Sequence, residues 1–195
     1  LPVDEAVEEG CGSCTACLTI CPTQAIVAPY TVDARKCISY LTIENDGPIP
    51  EDLRPLMGNR IYGCDDCQLV CPWNRYGNIT EEKDFFPRSQ LHGETLVNLF
   101  NWDETTFLKN TEGSPIRRIG HARWLRNIAV AMGNAAADGS ILSALESRSG
   151  QVSELVQEHI DWAIDQQKNK NAAHDDNRQK QRLIRVIQKG LPRDA

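Results

Sequence analysis

Residues 11–22 read Cys-Gly-Ser-Cys-Thr-Ala-Cys-Leu-Thr-Ile-Cys-Pro, and residues 64–72 read Cys-Asp-Asp-Cys-Gln-Leu-Val-Cys-Pro. The first run has the form C-x2-C-x2-C-x3-C-P, the second repeats its tail, and Cys37 stands between them. All eight cysteines of the 195-residue chain fall before residue 72. This spacing holds two 4Fe–4S clusters, each taking a thiolate from the other run. Three cysteines at short intervals let a coiled loop turn three sulfurs inward, and the fourth arrives from elsewhere. The proline after Cys21 and after Cys71 has a fixed φ and no N–H, which suits a chain leaving the cluster. The crossed rule assigns Cys11, Cys14, Cys17 and Cys71 to one cluster. It assigns Cys64, Cys67, Cys21 and, by elimination, Cys37 to the other.

Two other uses of clustered cysteine fit less well. Disulfides call for a secreted chain, and no apolar leader segment is present, while the thiols crowd one end instead of spreading as a framework. Zinc takes four ligands as paired CxxC units, which a three-cysteine run followed by CP does not supply. Thiolates reserved for iron imply a reducing compartment, so a cytoplasmic protein is expected. No run of eighteen apolar residues occurs, so no membrane span is expected.

The hydrophobic fraction of 41% suffices for a globular core. The cysteine census and the breaks at Gly77-Asn78 and Phe86-Pro87 place a boundary between about residues 79 and 95. The fold class expected is α+β, with a small two-cluster ferredoxin-like domain over residues 1–80 and an all-α helical repeat domain over 81–195. Residues 24–27 and 30–33 read as short strands around Pro29, and residues 51–57 as a short helix behind Pro50. Asp103 is placed to cap a helix through Phe107 and Leu108. Ser114-Pro115 opens the next, with Ile119, Trp124, Ile128 and Met132 on one stripe. Asp138-Gly139 starts another, Leu155 to Ile164 marks a further one, and Leu183, Ile184 and Ile187 a last. Helices of this length joined by short turns suggest stacked antiparallel pairs.

The formal charge is −6, which argues against a polyanionic partner until its distribution is read. Residues 113–137 hold no acid but Arg117, Arg118, Arg123 and Arg126, and residues 177–193 hold six further basic side chains and no acid. Such segregation lets an acidic protein present a basic face, although a solvated helix face reads the same way. Trp102, Trp124 and Trp162 could stack on bases, but their helical spacing fits core packing better. Trp73, beside Cys71, reads as a shield for a cluster. His121 lies among the arginines, and His92, His159 and His174 read as surface residues.

Taken in order, CGSCTACLTICPTQAI (11–26), YTVDARKCISYLTIE (30–44), GNRIYGCDDCQLVCPWNR (58–75) and SPIRRIGHARWLRNIAVAMGN (114–134) resemble epoxyqueuosine reductase. The resemblance implies a cobalamin beside the two clusters and a HEAT-like helical region that grips a tRNA anticodon arm. It implies reduction of epoxyqueuosine to queuosine at the tRNA wobble position. It places the catalytic carboxylate and most of the cobalamin site in an N-terminal half that this stretch does not include, so no catalytic residue is assigned here. Ser39 and Asp65 match positions bordering the cobalamin, and Arg117, Arg118, Arg123 and Arg126 are the tRNA-binding candidates. A monomer fed by a small reductant or a flavodoxin-like donor is expected. The competing readings are an electron-transfer module of another oxidoreductase, such as a reductive dehalogenase relative, and a structural cluster-containing nucleic-acid binder.

Overall fold

The structure is a computed structural model that describes residues 3, 5, 10–86, 91–170 and 185. The last helix expected around residues 183–187, His174, and nearly all of the basic segment 177–193 lie outside the described residues.

The cysteine region is built of short pieces. Helix α1 (Ala16–Ile20) follows the first two cysteines and carries the third, Cys17, and strands β1 (Ile26–Ala28) and β2 (Thr31–Val32) form an antiparallel hairpin. Tyr30 turns that hairpin with φ of +61°, a left-handed conformation that costs a residue with a side chain free energy. Asp33 caps a 3-10 turn over Ala34–Lys36, and helix α2 (Ile38–Ile43) starts directly after Cys37. The helix expected at 51–57 is a turn leading into a 3-10 segment, Arg54–Met57. Helix α3 (Asp66–Leu69) sits inside the second cysteine run.

The remainder is helical. Thr95 caps α4 (Leu96–Phe100), and Asp103 caps α5 (Glu104–Asn110) by accepting from the Thr106 amide at 2.7 Å. Ser114 opens a 3-10 segment, Pro115–Ile119. The stripe does not run unbroken from there: Gly120 takes φ of +72° and resets the axis before α6 (Gly120–Asn134). Asp138 caps α7 (Gly139–Arg148), and α8 (Glu154–Asn169) lies along α6. Close approach there needs Gly133, where a Cβ would stand 2.4 Å from the Trp162 ring. Among the described residues no helix is long and apolar enough to cross a membrane.

The core does not divide at the expected boundary. Ile38, Ile49 and Met57 from the cysteine region share one buried cluster with Phe100, Phe107, Trp124, Ile128, Leu145 and Ile160. The stretch between Cys37 and Cys64 is thus the part of the cysteine region that docks onto the helices. Trp124 and Trp162 are buried, and Trp102 stacks on Trp124 with ring centroids 5.6 Å apart, so these tryptophans are core.

His159 corrects the surface reading. It is wholly buried, accepts a hydrogen bond at Nε2 from the Ile49 amide at 3.0 Å, and through Nδ1 donates to the Leu155 carbonyl at 2.7 Å. Burial pulls its pKa down to about 4, so the ring is neutral. His121 does not join the arginines either, since its Nε2 meets the Trp102 carbonyl and its ring packs on Phe107.

Candidate cluster sites and basic face

All eight cysteines are free thiols. Four of them, Cys11, Cys14, Cys17 and Cys71, line one cavity of about 240 Å³ together with Gly10, Trp73, Arg75 and Tyr76. Its walls are fastened at the chain's approach to Cys11. The Tyr30 hydroxyl accepts from the amides of Gly10 at 2.7 Å and Cys11 at 3.0 Å. Trp73 Nε1 donates to the Gly10 carbonyl at 3.2 Å, and a Cβ on Gly10 would meet the Trp73 ring at 2.9 Å. Trp73 therefore closes the wall beside Gly10, while 58% of its surface stays open to solvent. It is a wall rather than a full shield. Neither Tyr30 nor Gly10 was marked by the sequence, because the contacts that give them meaning come from residues about twenty and sixty positions away.

The second set forms around α2 and α3. Burial raises the Cys67 thiol, with smaller contributions in the same direction from the charges of Cys21 and Cys37. Cys64 joins them through the backbone. The Gly63 amide donates to Thr42 Oγ1 at 2.9 Å, and Thr42 in turn donates to the Ile38 carbonyl at 2.7 Å, so the residue before Cys64 is fixed to the helix that begins after Cys37. Burial pushes the Cys64 thiol up to about 11. A cluster takes the thiolate form of its ligands, so its binding there releases the thiol proton. Amide donors aim at these sulfurs: Ala25 to Cys21 at 3.2 Å, and the backbones of Asp66 and Gln68 to Cys64 and Cys67. Amide hydrogen bonds to sulfur are one of the ways a protein sets a cluster's potential. Asp66 is buried and paired with Arg60, which also donates to the Met57 carbonyl at 2.9 Å.

Among the described residues no three His, Cys, Asp or Glu side chains converge tightly enough for a single metal ion. A cubane presents its irons at separate corners, so its thiolates stand wider apart than ligands around one ion. The donor set of each site, four thiolates on loops and helix starts, fits that cluster chemistry.

Ser39 is half-buried in the first turn of α2, and its hydroxyl lies 4.0 Å from where a Cβ on Gly63 would be. Asp65 is exposed between Cys64 and Cys67, and its carboxylate accepts from Gln68 Nε2 at 3.0 Å.

The four arginines do not form one face. Arg126 is wholly buried and donates to the carbonyls of Leu41, Asn45 and Gly47, so it stands inside the protein and leaves the RNA-facing set. Arg123 is mostly covered, donating to the carbonyls of Ile119 at 2.7 Å and Ile43 at 3.2 Å and pairing with Asp46. Arg117 and Arg118 are exposed, and Arg118 pairs with Glu44. A run free of acids reads as a basic surface only when its side chains point outward, and burial is what the charge pattern could not report.

Residues 10–74 match the family model of the 4Fe-4S double cluster binding domain. Along its whole length the chain is 68% identical to epoxyqueuosine reductase of Escherichia coli strain K12, covering 52% of that protein. It is 60% identical to that of Vibrio cholerae, again covering 52%. The chain spans about half the length of the curated relatives it matches. Among solved structures, epoxyqueuosine reductase from Bacillus subtilis superposes with a TM-score of 0.75 at 28% identity, covering 96% of this chain and 53% of that one. An epoxyqueuosine reductase solved with an epoxyqueuosine-modified tRNA-Tyr stem loop also gives 0.75 at 28% identity, covering 98% and 52%.

Proposed function

We propose that this chain, homologous along its whole length to the epoxyqueuosine reductases, carries the electron-transfer and tRNA-contacting part of an enzyme that reduces epoxyqueuosine to queuosine at the wobble position. The observation that carries the reading is the placement of Cys11, Cys14, Cys17 and Cys71 around one cavity, inside a chain matched from end to end. Opening an epoxide to an alkene takes two electrons and two protons and releases the oxygen as water. Two 4Fe–4S clusters in series deliver electrons singly from a small reductant or a flavodoxin-like donor.

A cobalamin beside the second set would supply the strongly reduced metal centre that such a deoxygenation needs. In this chain Ser39 and Asp65 are the residues that would border it: Ser39 lies close to Gly63, the residue before Cys64, and Asp65 is exposed directly after Cys64. The helical region from residue 95 onward reads as a HEAT-like unit presenting its Arg117 and Arg118 end to the anticodon arm. A reducing cytoplasmic setting suits both the thiolates and a tRNA substrate.

The test is a salt titration of binding to an anticodon stem loop carrying epoxyqueuosine, using the anaerobically reconstituted protein. Arg117→Glu with Arg118→Glu should weaken binding by about tenfold or more and flatten the log–log salt slope by about two. Unchanged affinity and slope would remove RNA from that face.

A further inference from the structure

We infer that Arg126 and Asn127 are positioning residues for the second cysteine set, holding Cys37 and Cys64 in place through the far end of α2. The inference rests on the reading of both cysteine sets as cluster sites. Helix α2 has six residues and starts after Cys37. A helix this short leaves most of its carbonyls without internal partners, so its direction is set by what those carbonyls meet.

They meet α6. Arg126 donates to the Leu41 carbonyl at 2.8 Å, and to those of Asn45 and Gly47 at 2.8 and 2.6 Å. Asn127 donates to the Thr42 carbonyl at 2.9 Å and to the Ile61 carbonyl at 2.8 Å. Arg126 Nε donates to Asn127 Oδ1 at 3.0 Å, so the two side chains lock one another. One amide thus ties the end of α2 to the segment that leads into Cys64, three residues after Ile61. The Gly63 to Thr42 bond closes the same loop.

A guanidinium there does more than fill hydrogen bonds. It places a buried positive charge at the negative end of the α2 dipole. Leu41 lies one helical turn, about 6 Å of rise, from Cys37. A buried cation at the far end of the helix that starts after Cys37 favours the reduced, more negative state of a cluster held there. No comparable buried cation touches the residues described around the first set. A purely structural Arg126 would affect stability, whereas a positioning Arg126 affects one cluster's potential.

The experiment uses the full chain, reconstituted anaerobically, with iron counts and redox titration followed by electron paramagnetic resonance. Cys37→Ala identifies the signal of the second cluster. Arg126→Met keeps volume and removes the donors and charge, Arg126→Lys restores the charge, and Asn127→Ala removes two bonds only. Val130→Ala, buried in α6 with no hydrogen bond to α2, controls for destabilisation. The expected result is that Arg126→Met moves the Cys37-dependent signal to lower potential, or loses it with iron falling from about eight to about four per chain. The other signal stays put, Asn127→Ala, which removes no charge, weakens iron retention at the Cys37-dependent cluster less than Arg126→Met does, and Arg126→Lys recovers the potential.

Equal shifts of both signals, or no shift while the melting temperature falls as in Val130→Ala, would overturn the inference. Should Arg126→Met fail to fold, Asn127→Ala and Arg126→Lys decide it. If the wild-type chain takes up no iron, or Cys37→Ala leaves both signals intact, the cluster reading itself fails.

Discussion

The two cysteine sets share a spacing and differ in what stands behind them. The first is a cavity walled by the loop before α1, the start of α1 and the 3-10 turn after Cys71, with Cys14 exposed and the approach to Cys11 fastened by the side chains of Tyr30 and Trp73. The second is mounted on a helix whose other end is bound into the core by α6, with Cys64 half-buried and its thiol pushed up to about 11 by desolvation. Ligand spacing therefore specifies which metal is held. The surroundings decide how much of the site persists without it.

Iron removal should separate the two most strongly. Without a cluster, residues 10–17 keep a few exposed side-chain bonds and little buried apolar surface, whereas Ile38 and Leu41 remain in the core. Hydrogen exchange on anaerobically prepared apo protein should then show amides 11–17 losing protection by at least about tenfold, with those of 41–44 nearly unchanged. Uniform loss across both sets would mean that α2 depends on its cluster as fully as the first loop does, and the contrast would collapse.

How far the sequence reveals this contrast depends on the range of the contacts involved. The cysteine spacing within each run and the caps at Asp103 and Asp138 act within a few residues, so their pattern is visible locally. His159 is different, because its partner amide at Ile49 is 110 positions away and nothing beside it marks it as buried. Arg126 is different again: a cation on an apolar stripe reads as a surface residue until three carbonyls from another segment surround it. The insertion between Cys37 and Cys64 is visible as an anomaly of spacing, yet its purpose, docking α2 and the loop after it onto α6 and α8, appears only in three dimensions.

His159 gives the second expected effect, confined to the side of the second set. Its folded pKa of about 4 lies below the ordinary 6.5, so the unfolded chain binds the proton more tightly. Stability is then fully present above about pH 6.5, falls as pH drops through the window between the two values, and levels off below about pH 4. Between about pH 7 and pH 5 the loss from this residue is about 2 kcal/mol. Denaturant titration of the apo protein should show that loss, and His159→Gln, which can accept from the Ile49 amide without titrating, should remove most of the slope. A slope of equal size in the variant would assign the pH dependence elsewhere.

Tyr30→Phe probes the first set on a smaller scale. It deletes the acceptor for the Gly10 and Cys11 amides and changes no apolar surface. Both bonds are exposed, so the cost should be about 1 kcal/mol. Its more telling mark is a change confined to the cluster signal that survives Cys37→Ala. A change in the Cys37-dependent signal instead would show that the hairpin bearing Tyr30 serves both sites equally.

Arg118→Ala should have the smallest effect on stability and so sets the lower end of the scale. Arg118 reaches Glu44 just past the end of α2, as Arg126 reaches Leu41 within it, but both members of the Arg118 pair are more than half exposed. Exposed pairs of this kind contribute from nothing to about 1 kcal/mol, and salt screens them further. The melting temperature and both cluster signals should therefore stay within error of wild type, while affinity for the anticodon stem loop falls. A loss of stability rivalling that of Tyr30→Phe would show that Arg118 holds α2 from outside as Arg126 does from within. That part of the 3-10 segment before α6 would then belong to the mounting of the second set, and Arg117 alone would be left to carry the RNA contact.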